Sequence, residues 1–124
     1  MSYLQKATRL YQMMDEGKIM EAFEELYHPD VTIVEASGES RKGKDTQRKA
    51  IHEWMESLAE MHGGGTSSVT ANEEAAITMV ESWTDITDKK GRRMKFDEVA
   101  VQKWQDGQII HERFYYFVPA EMQM

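Results

Sequence analysis

The stretch Trp104-Gln105-Asp106-Gly107-Gln108-Ile109-Ile110-His111-Glu112-Arg113-Phe114-Tyr115-Tyr116 decides the fold. Asp-Gly is a strong hairpin signal, because a tight primed turn needs positive φ at positions these residues tolerate. Runs rich in aromatic and β-branched residues flank it on both sides. They read as antiparallel strands over Met94–Trp104 and Gln108–Val118.

Moving toward the N-terminus, Asp88-Lys89-Lys90-Gly91 is a turn, Ala75 to Thr84 a strand and Thr66 to Asn72 another. Four sequential strands with short connections make a meander. Gly63-Gly64-Gly65 marks its start. Ahead of it, Ala50, Ile51, Trp54, Met55, Leu58 and Ala59 recur at helical spacing. Ser37 to Lys44 is a polar turn, and Val31 to Ala36 a short β-branched strand. Leu4, Ala7, Tyr11 and Met14, then Ile19, Ala22, Phe23, Leu26 and Tyr27, mark two helices around Gly17. Ser2 suits an N-cap. Pro29 stops the second helix because it has no N–H to donate, and His28 sits at that helix end, where a cation is favoured. No βαβ alternation occurs, so the class is α+β: three N-terminal helices with a curved antiparallel sheet.

The 124 residues suit one domain, 1–124. The net charge is −7, and the basic clusters Arg41-Lys42-Gly43-Lys44 and Lys89-Lys90-Gly91-Arg92-Arg93 contain glycine and read as loop tips. Nucleic-acid binding needs a basic face, so no such partner is expected. No apolar run approaches the roughly 20 residues of a membrane helix. The first residues lack a basic region followed by an apolar one, which makes the cytoplasm the expected location. The absence of cysteine removes disulfides, thiolate metal sites and cysteine nucleophiles. His28, His52, His62 and His111 have no metal-ligand spacing, so no metal site is expected.

The order helix, helix, strand, helix, meander is similar to that of nuclear transport factor 2-like proteins. The segment Trp104 to Tyr116 resembles the end of SnoaL-like proteins, in which an aromatic residue, an Asp-Gly turn, an isoleucine and an aromatic-acid-aromatic strand recur. Gly17-Lys18-Ile19 through Leu26-Tyr27-His28-Pro29-Asp30-Val31 resembles their second helix and first strand. The resemblance covers nearly the whole chain. It implies a cone in which the sheet wraps around the helices and encloses a cavity for a small organic molecule, with no cofactor. The superfamily includes isomerases, cyclases, epoxide hydrolases, dehydratases and non-catalytic members, so a fold-level likeness does not name the reaction. Set beside the ketosteroid isomerases, Glu35 matches the general base and Ala100 stands where they carry a second acid. Tyr11 lies about a residue from the place of their oxyanion-hole tyrosine. Ala100 argues against the same steroid chemistry. The aspartate and histidine of SnoaL cyclases have no counterpart. Glu98 and Glu112 echo the two acids of limonene epoxide hydrolases, without their arginine.

Strand side chains alternate between faces, so the turn decides which residues look inward. A three-residue Gln105-Asp106-Gly107 loop would place Ala100 opposite Glu112, Glu98 opposite Phe114 and Gln102 opposite Ile110. The inner face would then carry Phe96, Glu98, Ala100, Gln102, Ile110, Glu112, Phe114 and Tyr116. A two-residue turn would mix the sets. Val99, Val101, Ile109, His111, Arg113 and Tyr115 would fall on the outer face. An apolar outer patch suggests a homodimer through the convex side. On the preceding strand, the larger residues Ile77, Met79, Glu81 and Trp83 are expected to face in.

Three carboxylates carry the candidate chemistry: Glu35, Glu98 and Glu112. Burial raises a carboxyl pKa toward neutrality, where it can give or take a proton. The competing reading is that each is paired with Arg113, Arg93 or a lysine, or reaches solvent. Tyr11, Tyr27, Trp54, Trp83, Ala100, Gln102, Phe114 and Tyr116 are the expected ligand contacts, with core packing as their alternative. The leading expectation is a SnoaL-like protein that binds a small, mostly apolar metabolite. If catalytic, it is a cofactor-free isomerase or cyclase with Glu35 as base and Tyr11, Tyr116 or Glu112 as donor to the oxyanion. The alternative is a non-catalytic ligand-binding or dimeric interaction module.

Overall fold

The computed structural model describes residues 1–116; the expected strand residue Val118 lies outside them. Helix α1 spans Tyr3–Asp15 and α2 spans Ile19–Leu26. Ser2 and Gln5 form a reciprocal capping box at the start of α1. Glu73, from the far side of the chain, accepts from the Tyr3 and Leu4 N–H groups at the same helix end. That carboxylate satisfies two donors which the helix itself leaves open.

Strand β1 spans Tyr27–Val34. Helix α2 therefore ends before Pro29, and Pro29 lies inside a strand rather than at a helix stop. The strand tolerates it because the ladder to its neighbour is interrupted between Tyr27 and Thr32. His28 is likewise no helix cap; its Nδ1 accepts from the Asp30 N–H. The expected polar turn contains a short strand, β2 (Ser40–Lys42), that folds back on β1. Helix α3 runs over Lys44–Glu56, earlier than expected, and Leu58 and Ala59 already belong to β3 (Leu58–Asn72).

The glycine triplet is thus inside a strand rather than before one. The reason is Trp83 on the next strand. A Cβ on Gly65 would lie 2.8 Å from the indole Nε1, and one on Gly63 3.2 Å from the ring. Only glycine lets the indole pack on the strand surface at this distance.

Strands β4 (Ile77–Asp88), β5 (Arg93–Gln105) and β6 (Gln108–Tyr116) complete a six-stranded sheet of order β2-β1-β6-β5-β4-β3. The meander is as expected. The β1–β6 contact is parallel, and the other pairs are antiparallel. No helix among the described residues is long and apolar enough to cross a membrane.

The β5–β6 hairpin corrects the expected register. Asp106 and Gly107 have φ of 54° and 80°, a two-residue turn that pairs Gln105 with Gln108. One residue later the ladder slips, and Ile110 is left as a bulge between Trp104–Ile109 and Lys103–His111. Gln102 therefore lies opposite Glu112, Ala100 opposite Phe114 and Glu98 opposite Tyr116. The turn exchanges the faces and the bulge exchanges them back. Glu98, Ala100, Gln102, Glu112, Phe114 and Tyr116 keep the inner face, with each partner moved by two, but Ile110, expected on that face as well, is the unpaired bulge residue. Ile109, expected on the outer face, is fully buried in the core with Ala7, Leu10, Phe23, Leu26 and Trp104.

The β4 faces are the reverse of the expectation. Thr78, Val80, Ser82 and Ile86 are buried, while Met79 is 44% exposed and Glu81 is on the surface. Side-chain size misled here, because the inner face also buries small hydroxylated residues, of which Thr78 bonds to Gln102 and Trp104. Trp83 packs on the outer face against the β3 glycines, with the Lys95 ammonium 5.1 Å from its ring centre. It is not a cavity residue.

Candidate functional site: a polar network on the concave face

The pairings lay the inner side chains out in rows across adjacent strands. The deepest row is Thr78–Gln102–Glu112–Ile33. Its polar groups form one chain of hydrogen bonds. Trp104 Nε1 donates to Thr78 Oγ1 at 2.8 Å, and Thr78 Oγ1 donates to Gln102 Oε1 at 2.7 Å. Gln102 Nε2 donates to Glu112 Oε2 at 2.7 Å, and Tyr27 Oη donates to Glu112 Oε1 at 2.5 Å. Every member is buried, so the chain satisfies groups that would otherwise cost free energy. The helices close over it with Tyr11 and Phe23.

Glu112 is 1% exposed. Burial pushes its carboxyl up to about 7; the hydrogen bonds from Tyr27 and Gln102 moderate that, and the charge of Glu35 adds to it. Burial also raises the Tyr11 and Tyr27 hydroxyls well above their ordinary value, reinforced by the charge of Glu112. Both tyrosines are therefore neutral donors at physiological pH.

The next row outward is Val80–Ala100–Phe114, and beyond it lies Thr66–Ser82–Glu98–Tyr116. Glu98 is half-buried. Burial raises its carboxyl to about 7, assisted by the charges of Glu112 and Glu35. Among the described residues no hydrogen bond or ion pair ties it down, which sets it apart from the other two acids.

Glu35 sits in a different environment. Arg41 Nη2 donates to its Oε1 at 2.6 Å and Tyr116 Oη to its Oε2 at 3.0 Å. Arg41 Nε is in turn held by Gln47 Oε1. Glu35 is thus ion-paired, but through Arg41 and not through the expected Arg113, Arg93 or a lysine. The ketosteroid-isomerase position is here a clamped carboxylate.

The remaining expected ligand contacts divide. Tyr11, Tyr27, Ala100, Gln102, Phe114 and Tyr116 come together on the concave side. Trp83 is on the opposite face. Trp54 is 40% exposed and lines a surface groove of about 330 Å³ with Leu58, Ile86, Met94, Lys89 and Lys90. Ile86 and Met94 form the row nearest the β4–β5 turn on the same concave face, so this groove adjoins the interior. A second concavity of about 390 Å³ lies between α1 and α2, lined by Arg9, Gln12 and Glu25 among others.

Sequence reading missed Thr66, Thr78, Ser82, Trp104, Arg41 and Gln47. Trp104 shares the parity of Gln102, which was a usable signal. Arg41 was hidden because its segment was read as a loop tip instead of a strand returning on β1.

The SnoaL-like domain family matches residues 1–116, and the chain belongs to that family. Among solved structures it is similar to a Mesorhizobium loti protein named a SnoaL-like polyketide cyclase. The two share 28% identity over 94% of this chain and 100% of that one, with a TM-score of 0.84. A Jannaschia protein with the same designation shares 14% identity over 92% of this chain and 84% of that one, TM-score 0.77. A Bacillus subtilis protein named an isomerase shares 15% identity over 91% of this chain and 84% of that one, TM-score 0.74. No curated protein matches the chain. The cone of three helices and a curved six-stranded sheet is the fold of these neighbours.

Proposed function

We propose that the protein binds a small, mostly apolar organic molecule against the concave face, and that Glu98 moves a proton on it without a cofactor, in an isomerisation or cyclisation. One observation carries the reading: Glu98 is the inward carboxyl that has no partner among the described residues and titrates near neutrality. Glu112 already uses both oxygens, and Glu35 is held by Arg41 and Tyr116. As base, the Glu98 carboxylate takes a proton from carbon beside a carbonyl. The C–H electron pair becomes the enolate double bond and the charge moves to oxygen. Returning the proton to another carbon completes an isomerisation; attack by the enolate carbon on a second carbonyl within the molecule breaks that C=O π bond, and the resulting alkoxide takes the proton back from Glu98 to complete a cyclisation. Proton exchange into 2-tetralone in deuterated buffer tests this. The wild type should accelerate deuterium entry beside the carbonyl, and Glu98→Gln should lose about 10²-fold or more of that acceleration. Retention of the full rate in Glu98→Gln removes the assignment.

A second reading, binding without turnover, is favoured by Ala100, which leaves the middle row without an acid. Binding of 2-tetralone with no acceleration of exchange would select it.

We further propose a homodimer packed through the convex face by Val99, Val101, His111, Arg113 and Tyr115. Tyr115 is 51% exposed there, with the Arg113 guanidinium 5.1 Å from its ring centre and Met79 exposed on the same face. Such apolar exposure commonly marks a contact. Tyr115→Asp should weaken the dimer by at least about tenfold, or ~1.4 kcal/mol, in sedimentation equilibrium while leaving the unfolding midpoint unchanged. A wild type that is monomeric at every concentration sinks the proposal.

A further inference from the structure

Thr66 is the exception to the saturated interior. Its Oγ1 is buried and has no hydrogen-bond partner among the described residues. Natural interiors rarely leave such a group unpaired, since it has lost its hydration and gained no partner in return. The pairing with Ser82, itself opposite Glu98, fixes the direction of the side chain: directly opposed residues on neighbouring strands project to the same face. Ser82 and Glu98 are on the concave face, so Thr66 is too.

Apart from Ser82, whose hydroxyl has no hydrogen bond among the described residues, the other inner hydroxyls are committed. Tyr27 donates to Glu112, Thr78 to Gln102 and Tyr116 to Glu35. Tyr11 lies against the Gln102 amide. The register slips between Thr66 and Ser68, so the pairing that places Thr66 in the row containing Glu98 does not carry on to the strand residues that follow.

We infer that Thr66 and Ser82 form a hydroxyl-lined subsite that binds one oxygen function of the ligand, a carbonyl, enol or phenol, and turns the adjoining carbon toward Glu98. This deepens the ligand-binding reading above and rests on it. A threonine hydroxyl can donate to a carbonyl or enolate and accept from a phenol or enol. The chemical class is therefore an apolar body carrying an oxygen at the end that enters first. A purely hydrocarbon ligand would leave Thr66 unpaired.

The test compares 2-naphthol with naphthalene, which differ by that oxygen. Wild type should bind 2-naphthol about tenfold or more tightly than naphthalene, the size of a net hydrogen bond plus relief of an unpaired group. Thr66→Val keeps the shape and removes the hydroxyl. It should bring the two affinities to within about threefold, leave naphthalene binding unchanged and, without ligand, unfold at the same or a higher temperature. Thr66→Ser should restore the preference. A wild type that binds both probes alike overturns the subsite while the pocket stands. If neither probe binds, the pocket reading falls and takes this inference with it. A preference that survives Thr66→Val and disappears in Tyr11→Phe also overturns it, and so does a lower unfolding temperature for unliganded Thr66→Val, since the hydroxyl would then have a partner within the protein.

Discussion

The folded protein should lose stability as the pH rises from about 5 to about 8, the reverse of ordinary surface-carboxylate behaviour. Burial moves the carboxyls of Glu98 and Glu112 from 4.5 to about 7. Between those values the unfolded chain has released both protons while the folded chain still holds them. Each carboxyl therefore stabilises the fold fully below about pH 4.5, and its contribution is lost as the pH climbs through about 7. One carboxyl displaced this far is worth ~3 kcal/mol, and because the two are neighbours they titrate together and sum to less than twice that. Asp85 and Asp88 are held low by Arg93 and Arg92 and act in the opposite direction, but below this window. His111, pushed down by burial and by Lys103 and Arg113, opposes the trend within it. The variant Glu112→Gln isolates the effect. Its amide oxygen accepts from Gln102 and its amide nitrogen donates to Tyr27, so it carries the neutral form permanently. Urea midpoints should fall with pH in the wild type, fall less in Glu112→Gln, and cross so that the variant is the more stable near pH 8. A wild-type midpoint that stays level or rises over the window would show that Glu98 and Glu112 ionise freely, and the acid-base reading of Glu98 would lose its physical basis.

The second large effect concerns Ile109. Ile109→Ala should cost ~2–5 kcal/mol, because the side chain is fully buried among Leu10, Phe23 and Trp104 and its removal leaves a cavity. Ile110, one residue on, is the bulge, and Ile110→Ala should cost less than half as much. Thermal or urea unfolding of the two alanine variants decides between this structure and a hairpin without the slip. Equal costs, or a larger cost at Ile110, would mean that the bulge lies elsewhere and that the inner face of β6 is misassigned.

How far the sequence could be read follows from what each residue reports locally. Order and type of the main elements were legible because periodicity and turn residues are local signals: Leu4-Ala7-Tyr11 for α1, Asp106-Gly107 for the last hairpin. The boundaries were not legible where a tertiary contact overrides propensity. Gly63 and Gly65 read as a break until the indole that needs them is in place. Pro29 reads as a helix stop, yet the ladder gap beside it accepts a proline. The site was half legible. Glu98 and Glu112 were identified as inward acids because two errors in the hairpin, turn length and bulge, cancel in parity. The difference between a clamped Glu35 and an unpartnered Glu98 was not legible, since it depends on Arg41 returning through a three-residue strand. Thr78 was not legible because a hydroxyl looks like a solvent-facing residue until its buried partners, Gln102 and Trp104, are known.

The shapes of β2 and β3 have a consequence for how molecules of this protein meet at high concentration. They are the outermost strands, and an open strand edge is a template for end-to-end growth into fibrils. One edge is only 3 residues long. The other is 15 residues long, but its register slips at three places, one of them beside the glycines. Each slip turns the free N–H and C=O groups away from a common plane, so no long straight template is presented. The glycines that seat Trp83 also lower the β-propensity of that edge. The same segment that holds an indole against the sheet thus helps to keep neighbouring copies from joining strand to strand.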